Sequence, residues 1–208
     1  MAALGFDRFA VAGHDRGGRV AYRMALDHPD RVERLAVLDI VPTGEVWRRA
    51  DRRFAHGYWH WAFLAQPAPL PERLIGGDPQ AFFDLHARAA MGLGAEPGRY
   101  PPDILDAYRR VLDDPAAVEA ICEDYRAGAS VDVVLDDVDR EAGRRIACPV
   151  LVLWGARGAL PGFYPDVLDV WRPWARDVRG GALDATHFLA EDLPEQTAAQ
   201  LLAFLADT

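Results

Sequence analysis

The sequence predicts an α/β fold in which a parallel sheet is built from the two ends of the chain and a helical lid is inserted between them. Three observations carry this expectation. Near the start, a short apolar run breaks at a glycine and continues into a segment of helical composition; near the end, apolar runs and a closing amphipathic segment repeat that order; the middle, about residues 45–140, has no comparable strand. Parallel strands need a crossover, usually a helix, and strands covered on both faces read as near-continuous apolar runs. With 208 residues, half of them apolar, the chain can bury one ample core and an inserted subdomain.

Residues 8–14 form the first expected strand, and Arg16 to Asp27 the helix after it. That helix stops at His28-Pro29, because proline disfavours helical backbone in the residue before it. Residues 34–40 supply the second strand and complete a β-α-β unit. The middle is rich in Trp, Tyr, Phe and Pro and carries helical stretches such as Ile104 to Leu112 and Ala116 to Arg126. Pro149 to Trp154 is the next strand, a further one falls near Arg176 to Leu183, and Pro194 to Leu205 is the closing helix. Residues 1–44 and 141–208 are therefore expected to form a partial sheet core and 45–140 the lid, with no internal repeat or low-complexity linker.

Composition narrows the function classes. The formal net charge of −9 argues against nucleic acid or an anionic membrane as partner, since both call for an extended basic face. An anionic small substrate would then need a local cluster of arginines. Two cysteines, Cys122 and Cys148, are too few for a disulfide framework and fit a reducing compartment. No apolar stretch reaches the roughly 20 residues of a membrane span, and the expected location is the cytoplasm.

The most informative motif is Gly13-His14-Asp15-Arg16-Gly17. Between a strand and a helix, a G-x-nucleophile-x-G sequence forces a tight, strained turn, and Gly13 and Gly17 are expected to let the backbone segments pass. Aspartate stands here where serine usually does. A carboxylate is already ionised and can displace a leaving group from saturated carbon, which yields an alkyl ester on the enzyme and points to carbon–halogen or epoxide substrates. A polar turn is the alternative reading of the pentapeptide taken alone.

Other residues complete a constellation. Arg16 and Arg19 follow Asp15 on one helix face, and two guanidinium forks at a helix N-terminus make a carboxylate receptor. Arg23, one turn on, is expected to pair with Asp27 and Asp30 instead. Asp39 ends its strand at the carboxyl edge of the sheet, where it can orient a histidine or simply cap a turn; Asp166 is the fallback. Of six histidines, only His187 follows the last strand and completes the order nucleophile, acid, histidine. In the lid, His60, Trp61 and Tyr125 carry N–H and O–H donors that could hold a leaving halide, or could serve in aromatic packing. His56 and His60 are four apart but lack a third ligand or an H-E-x-x-H pattern, so neither a metal nor another cofactor is expected.

Gly13 to Arg19, Leu38-Asp39-Ile40-Val41-Pro42-Thr43, Trp59-His60-Trp61 with Phe63 to Glu72, Cys122 to Ala129 and His187-Phe188-Leu189 together resemble the fluoroacetate (haloacetate) dehalogenases of the α/β-hydrolase fold. The resemblance spans nearly the whole chain. It implies that Asp15 displaces halide from the α-carbon, that Arg16 and Arg19 hold the substrate carboxylate, and that His60, Trp61 and Tyr125 stabilise the departing halide. His187, oriented by Asp39, would then activate water to hydrolyse the ester. Related haloalkane dehalogenases and epoxide hydrolases often have tryptophan directly after the aspartate, and Arg16 in that place favours an anionic substrate.

Two departures from the family stand out. Its members carry several strands and helices before the elbow, including a His-Gly loop that helps build the pocket, whereas here Met1 lies a few residues before the elbow strand. Only the later strands of the core are therefore expected, with an unpaired edge that invites self-association as a homodimer. The stretch Phe82 to Gly94 also contains no tryptophan, where the family has one near the pocket. The expected function is hydrolytic dehalogenation of a small 2-haloacid. The alternatives are epoxide or haloalkane hydrolysis, and a catalytically incomplete remnant that survives as a binding or assembly module.

Overall fold

The computed structural model describes residues 1–93 and 98–206, so Gly94, at the end of the tryptophan-free stretch, and the last two residues of the expected core lie outside it. The chain divides into two units, Met1–Arg48 with Leu135–Thr208, and Arg49–Val134. The first unit opens with a single 3₁₀ turn, Ala2–Leu4, then β1 (Phe9–His14), α1 (Arg16–Asp27), β2 (Val32–Leu38) and α2 (Thr43–Arg48). The second unit holds α3 (Arg52–Gly57), α4 (Trp59–Leu64), α5 (Leu70–Gly77), α6 (Pro79–Ala90), α7 (Pro102–Leu112) and α8 (Pro115–Gly128). α9 (Val131–Glu141) leads back to the first unit, which continues with β3 (Val150–Gly155), α10 (Leu160–Phe163), α11 (Val167–Trp171), β4 (Val178–Leu183), α12 (Leu189–Asp192) and α13 (Pro194–Ala206).

The four strands pair in parallel in the order β1-β2-β3-β4. Side chains of a strand alternate between faces. Ala36 and Leu38 of β2 and Leu151 and Leu153 of β3 share one apolar cluster with Ala185, Leu189 of α12 and Phe204 of α13. Leu35, Val37, Val150 and Val152, also buried, fall on the opposite face. Parallel strands in sequential order with right-handed crossovers put their connecting helices on one face. Tyr22 of α1 meets Trp171 of α11 edge to face there, at 5.7 Å between ring centroids. α1 is a helix because its buried positions, Gly18, Arg19, Ala21, Tyr22, Ala25 and Leu26, recur at helical spacing.

β2 occupies 32–38 where the sequence suggested 34–40. The strand stops because Asp39 takes φ 53, outside the extended region. In register, His14, Leu38 and Leu153 stand side by side, so Asp15, Asp39 and the end of β3 emerge together at the carboxyl edge of the sheet.

In the second unit α8 packs against α4, α5 and α7. Arg126 of α8 fastens it, donating to Glu72 of α5 at 2.6 Å and to the Gln66 carbonyl at 2.8 Å. Among the described residues no helix is long and apolar enough to cross a membrane.

Candidate active site

The elbow is a close backbone crossing. A Cβ on Gly13 would stand 2.3 Å from the Gly17 carbonyl oxygen, and one on Gly18 would stand 2.9 Å from the Gly13 oxygen. A Cβ on Gly17 would meet nothing, so Gly17 is not one of the glycines the crossing requires; Gly13 and Gly18 are. Between them Asp15 sits at φ 48, ψ −120, a conformation uncommon for a residue with a side chain. Its N–H donates to the Leu38 carbonyl at 3.2 Å, which ties the turn to β2.

A second crossing brings in the histidine. A Cβ on Gly155 would stand 2.1 Å from the Thr186 carbonyl oxygen, so β3 can approach the loop after β4 only as glycine. The N–H groups of Ala156 and Arg157 donate to the Leu183 and Ala185 carbonyls and hold that loop in place. His187 is thereby set with Nδ1 2.5 Å from Asp39 Oδ2 and Nε2 3.6 Å from Asp15 Oδ2. The other Asp39 oxygen accepts the Gly155 N–H at 2.9 Å. A carboxylate on Nδ1–H fixes the tautomer and aims Nε2, here toward Asp15.

Exposure separates the two acids. The Asp39 side chain is wholly buried and that of Asp15 is 39% exposed, so Asp15 can meet a substrate and Asp39 can only orient. Burial works against the Asp15 charge, but the His187 imidazole beside it and the Arg19 charge prevail and hold its carboxyl well below the usual carboxylate range. Burial likewise opposes an imidazolium at His187, yet the adjoining Asp15 and Asp39 carboxylates raise it to about 10.

Arg19 is buried, and its Nη1 donates to the Val41 carbonyl at 3.1 Å and to Thr43 Oγ1 at 3.2 Å. Arg16 is the first residue of α1, directly after Asp15. Arg23 pairs with Asp27 at 2.7 Å as expected, and its other partners are Asp136 and Asp139 of α9 rather than the expected Asp30. Asp166, the fallback acid, accepts from the Leu168 and Asp169 N–H groups as the N-cap of α11, which leaves Asp39 as the histidine's partner.

In the second unit His60 and Trp61 of α4 meet Tyr125 of α8, with ring centroids 5.9 and 5.8 Å away and rings nearly perpendicular. All three are largely buried. The sequence-derived residues thus form two groups, Asp15, Asp39, His187, Arg16 and Arg19 in the first unit and His60, Trp61 and Tyr125 in the second. Among the described residues no three His, Cys, Asp or Glu side chains are placed to hold a metal ion.

Sequence reasoning missed two histidines. His86 of α6 lies on His60 at 4.2 Å between centroids, and nothing in its surroundings in the sequence signals this. His14 donates from Nε2 to the His187 carbonyl at 2.8 Å. Burial, then the charge of His187, keep His14 below its ordinary value. Its place just before Asp15 in the motif was the available signal.

A family model described as alpha/beta hydrolase fold matches residues 1–160. The chain is 45% identical over its whole length to a fluoroacetate dehalogenase from a Burkholderia species, spanning 66% of that relative. It is 27% identical to a soluble epoxide hydrolase from Corynebacterium, with 99% of this chain and 70% of that protein aligned. Among solved structures, it matches the epoxide hydrolase CorEH with a TM-score of 0.80 at 26% identity, covering 99% of this chain and 70% of that one.

Proposed function

The chain belongs to the alpha/beta hydrolase fold family, and on that premise we propose that it hydrolyses the carbon–halogen bond of a small 2-haloacid such as fluoroacetate. The observation that carries this reading is the Asp15 carboxyl, 39% exposed on its elbow, 3.6 Å from a histidine that the buried Asp39 orients. Similarity to a fluoroacetate dehalogenase at 45% identity supports the substrate class.

In the first step an Asp15 oxygen pair forms a bond to the α-carbon as the carbon–halogen pair leaves with the halide. Arg19, beside Asp15, and Arg16 receive the substrate carboxylate and orient the carbon for attack. His60, Trp61 and Tyr125 are the proposed donors to the departing halide, and the second unit is the proposed cap. In the second step water adds to the carbonyl carbon of the Asp15 ester, giving up a proton to His187 Nε2. Collapse breaks the ester C–O bond; the departing alkoxide takes the proton from His187 and leaves as the 2-hydroxyacid, and the proton left on the Asp15 carboxyl returns to His187, which restores the carboxylate.

Ester formation itself prepares the base. Asp15 and Asp39 together raise His187, which therefore rests protonated. Alkylation removes the Asp15 charge, the imidazolium loses one of its two supports, and its proton passes to solvent. A neutral His187 then stands ready to take a proton from water.

Epoxide opening is the second reading, favoured by the similarity to the Corynebacterium enzyme. Two free, buried thiols support a cytoplasmic location. The test is fluoride release from fluoroacetate by the parent and by Asp15→Asn. Release by the parent alone is expected. Epoxide turnover that survives Arg16→Ala and Arg19→Ala, without fluoride release by the parent, would transfer the assignment to the second reading.

A further inference from the structure

We propose that Thr43, Tyr22 and Asp136 are positioning residues for substrate binding, a buried hydrogen-bonded chain that sets the orientation of the Arg19 guanidinium. The proposal rests on the reading of Arg19 as a receptor for the substrate carboxylate.

The links from Arg19 to Asp136 are hydrogen bonds between buried groups, with the partly buried Arg23 at the far end. Arg19 Nη1 donates to Thr43 Oγ1 at 3.2 Å. The Thr43 N–H donates to the Tyr22 hydroxyl at 3.0 Å, and that hydroxyl donates to Asp136 Oδ2 at 2.8 Å. The same Asp136 oxygen accepts the Gly44 N–H at 2.8 Å, and Arg23 Nη1 donates to Oδ1 at 3.2 Å. Tyr22, Thr43 and Asp136 are each 1% exposed or less. Burial and the neighbouring Asp136 keep the Tyr22 phenol protonated, as a donor must be.

The chain closes on itself. Arg19 and Tyr22 lie three apart on α1, Thr43 opens α2, and Asp136 belongs to α9. A Cβ on Gly44 would stand 2.8 Å from the Asp136 Cβ, so α2 and α9 meet as closely as they do only with glycine there. A long arginine side chain has many rotamers, and the Val41 carbonyl alone fixes one nitrogen without fixing the fork's tilt. With Thr43 Oγ1 as a second acceptor on the same Nη1, the fork is held more narrowly, and a carboxylate ligand gains affinity by the ordering it no longer has to impose.

The experiment is steady-state kinetics on chloroacetate, with glycolate as a competitive carboxylate ligand, for the parent, Thr43→Val, Thr43→Ser and Tyr22→Phe. Thr43→Val and Tyr22→Phe are expected to raise both KM and the glycolate inhibition constant about tenfold, with kcat within about twofold. Thr43→Ser, which keeps the hydroxyl, is expected to match the parent. Unchanged constants in Thr43→Val or Tyr22→Phe, a fall in kcat without a rise in the glycolate constant, or equal impairment in Thr43→Ser and Thr43→Val would each overturn the proposal. Should Thr43→Val not fold, Tyr22→Phe decides alone by the same criteria. A parent that releases no chloride from chloroacetate defeats the functional reading instead, and is recognised before any variant is compared.

Discussion

His187 lies between two carboxylates that act on it differently. Asp39 holds Nδ1 at 2.5 Å and never leaves, whereas Asp15 faces Nε2 and changes charge during the proposed reaction. The imidazole of the resting protein is raised to about 10, so its C2 proton is expected to titrate far above the ordinary histidine range. Asp15→Asn removes one of the two charges and is expected to lower that midpoint, measured by proton NMR; an unchanged midpoint would refute the role assigned to Asp15. The same shift has a consequence for stability. A raised folded-state value contributes stability that is complete below the unfolded value of 6.5 and is lost as pH rises through about 10. Thermal melts of the parent are therefore expected to lose stability across that window more steeply than those of His187→Asn. At this scale the sequence was most readable at the proposed site: Asp15, Asp39 and His187, which meet in the structure, come from one motif, one strand end and one chain order. Tyr22, Thr43 and Asp136 were not readable, because Asp136 bonds to Tyr22 across 114 positions of sequence and no local pattern encodes that contact.

Among the elements, β1 and α1 make the elbow, and their glycines differ in consequence. Gly13→Ala would drive a methyl into the Gly17 carbonyl at 2.3 Å, and the strand and helix would have to separate. Gly17→Ala would meet open space within α1, where alanine is favoured over glycine by about 0.5–1 kcal/mol. Denaturant melts are expected to show Gly17→Ala at or above parental stability and Gly13→Ala more than about 2 kcal/mol below it. Equal losses in both would contradict the crossing described. The pattern G-x-D-x-G reads symmetrically, so the sequence suggested that both outer glycines matter; the crossing in fact falls on Gly13 and Gly18. α1 itself was readable to the residue, since Pro29 closes it. The end of β2 was not, because the positive φ of Asp39 leaves no mark in the composition of an apolar run.

For the whole molecule, the parallel sheet was legible because both ends of the chain repeat the order of apolar run, turn and helix. The second unit was legible only as helical and aromatic. Which rings meet there, above all His60 with His86, depends on how α4, α6 and α8 pack, and periodicity says nothing of that. β1 pairs with β2 alone among the described strands, and Ala10 and Ala12 along it are exposed.

The proposed mechanism turns on a covalent ester that Asp15 forms and His187 then clears. Its most direct test is the mass of His187→Asn after exposure to fluoroacetate, with the modified peptide located. A carboxymethyl group retained on Asp15 is the expected result. Fluoride release by the parent with no adduct on Asp15 in the variant would rule out the covalent route.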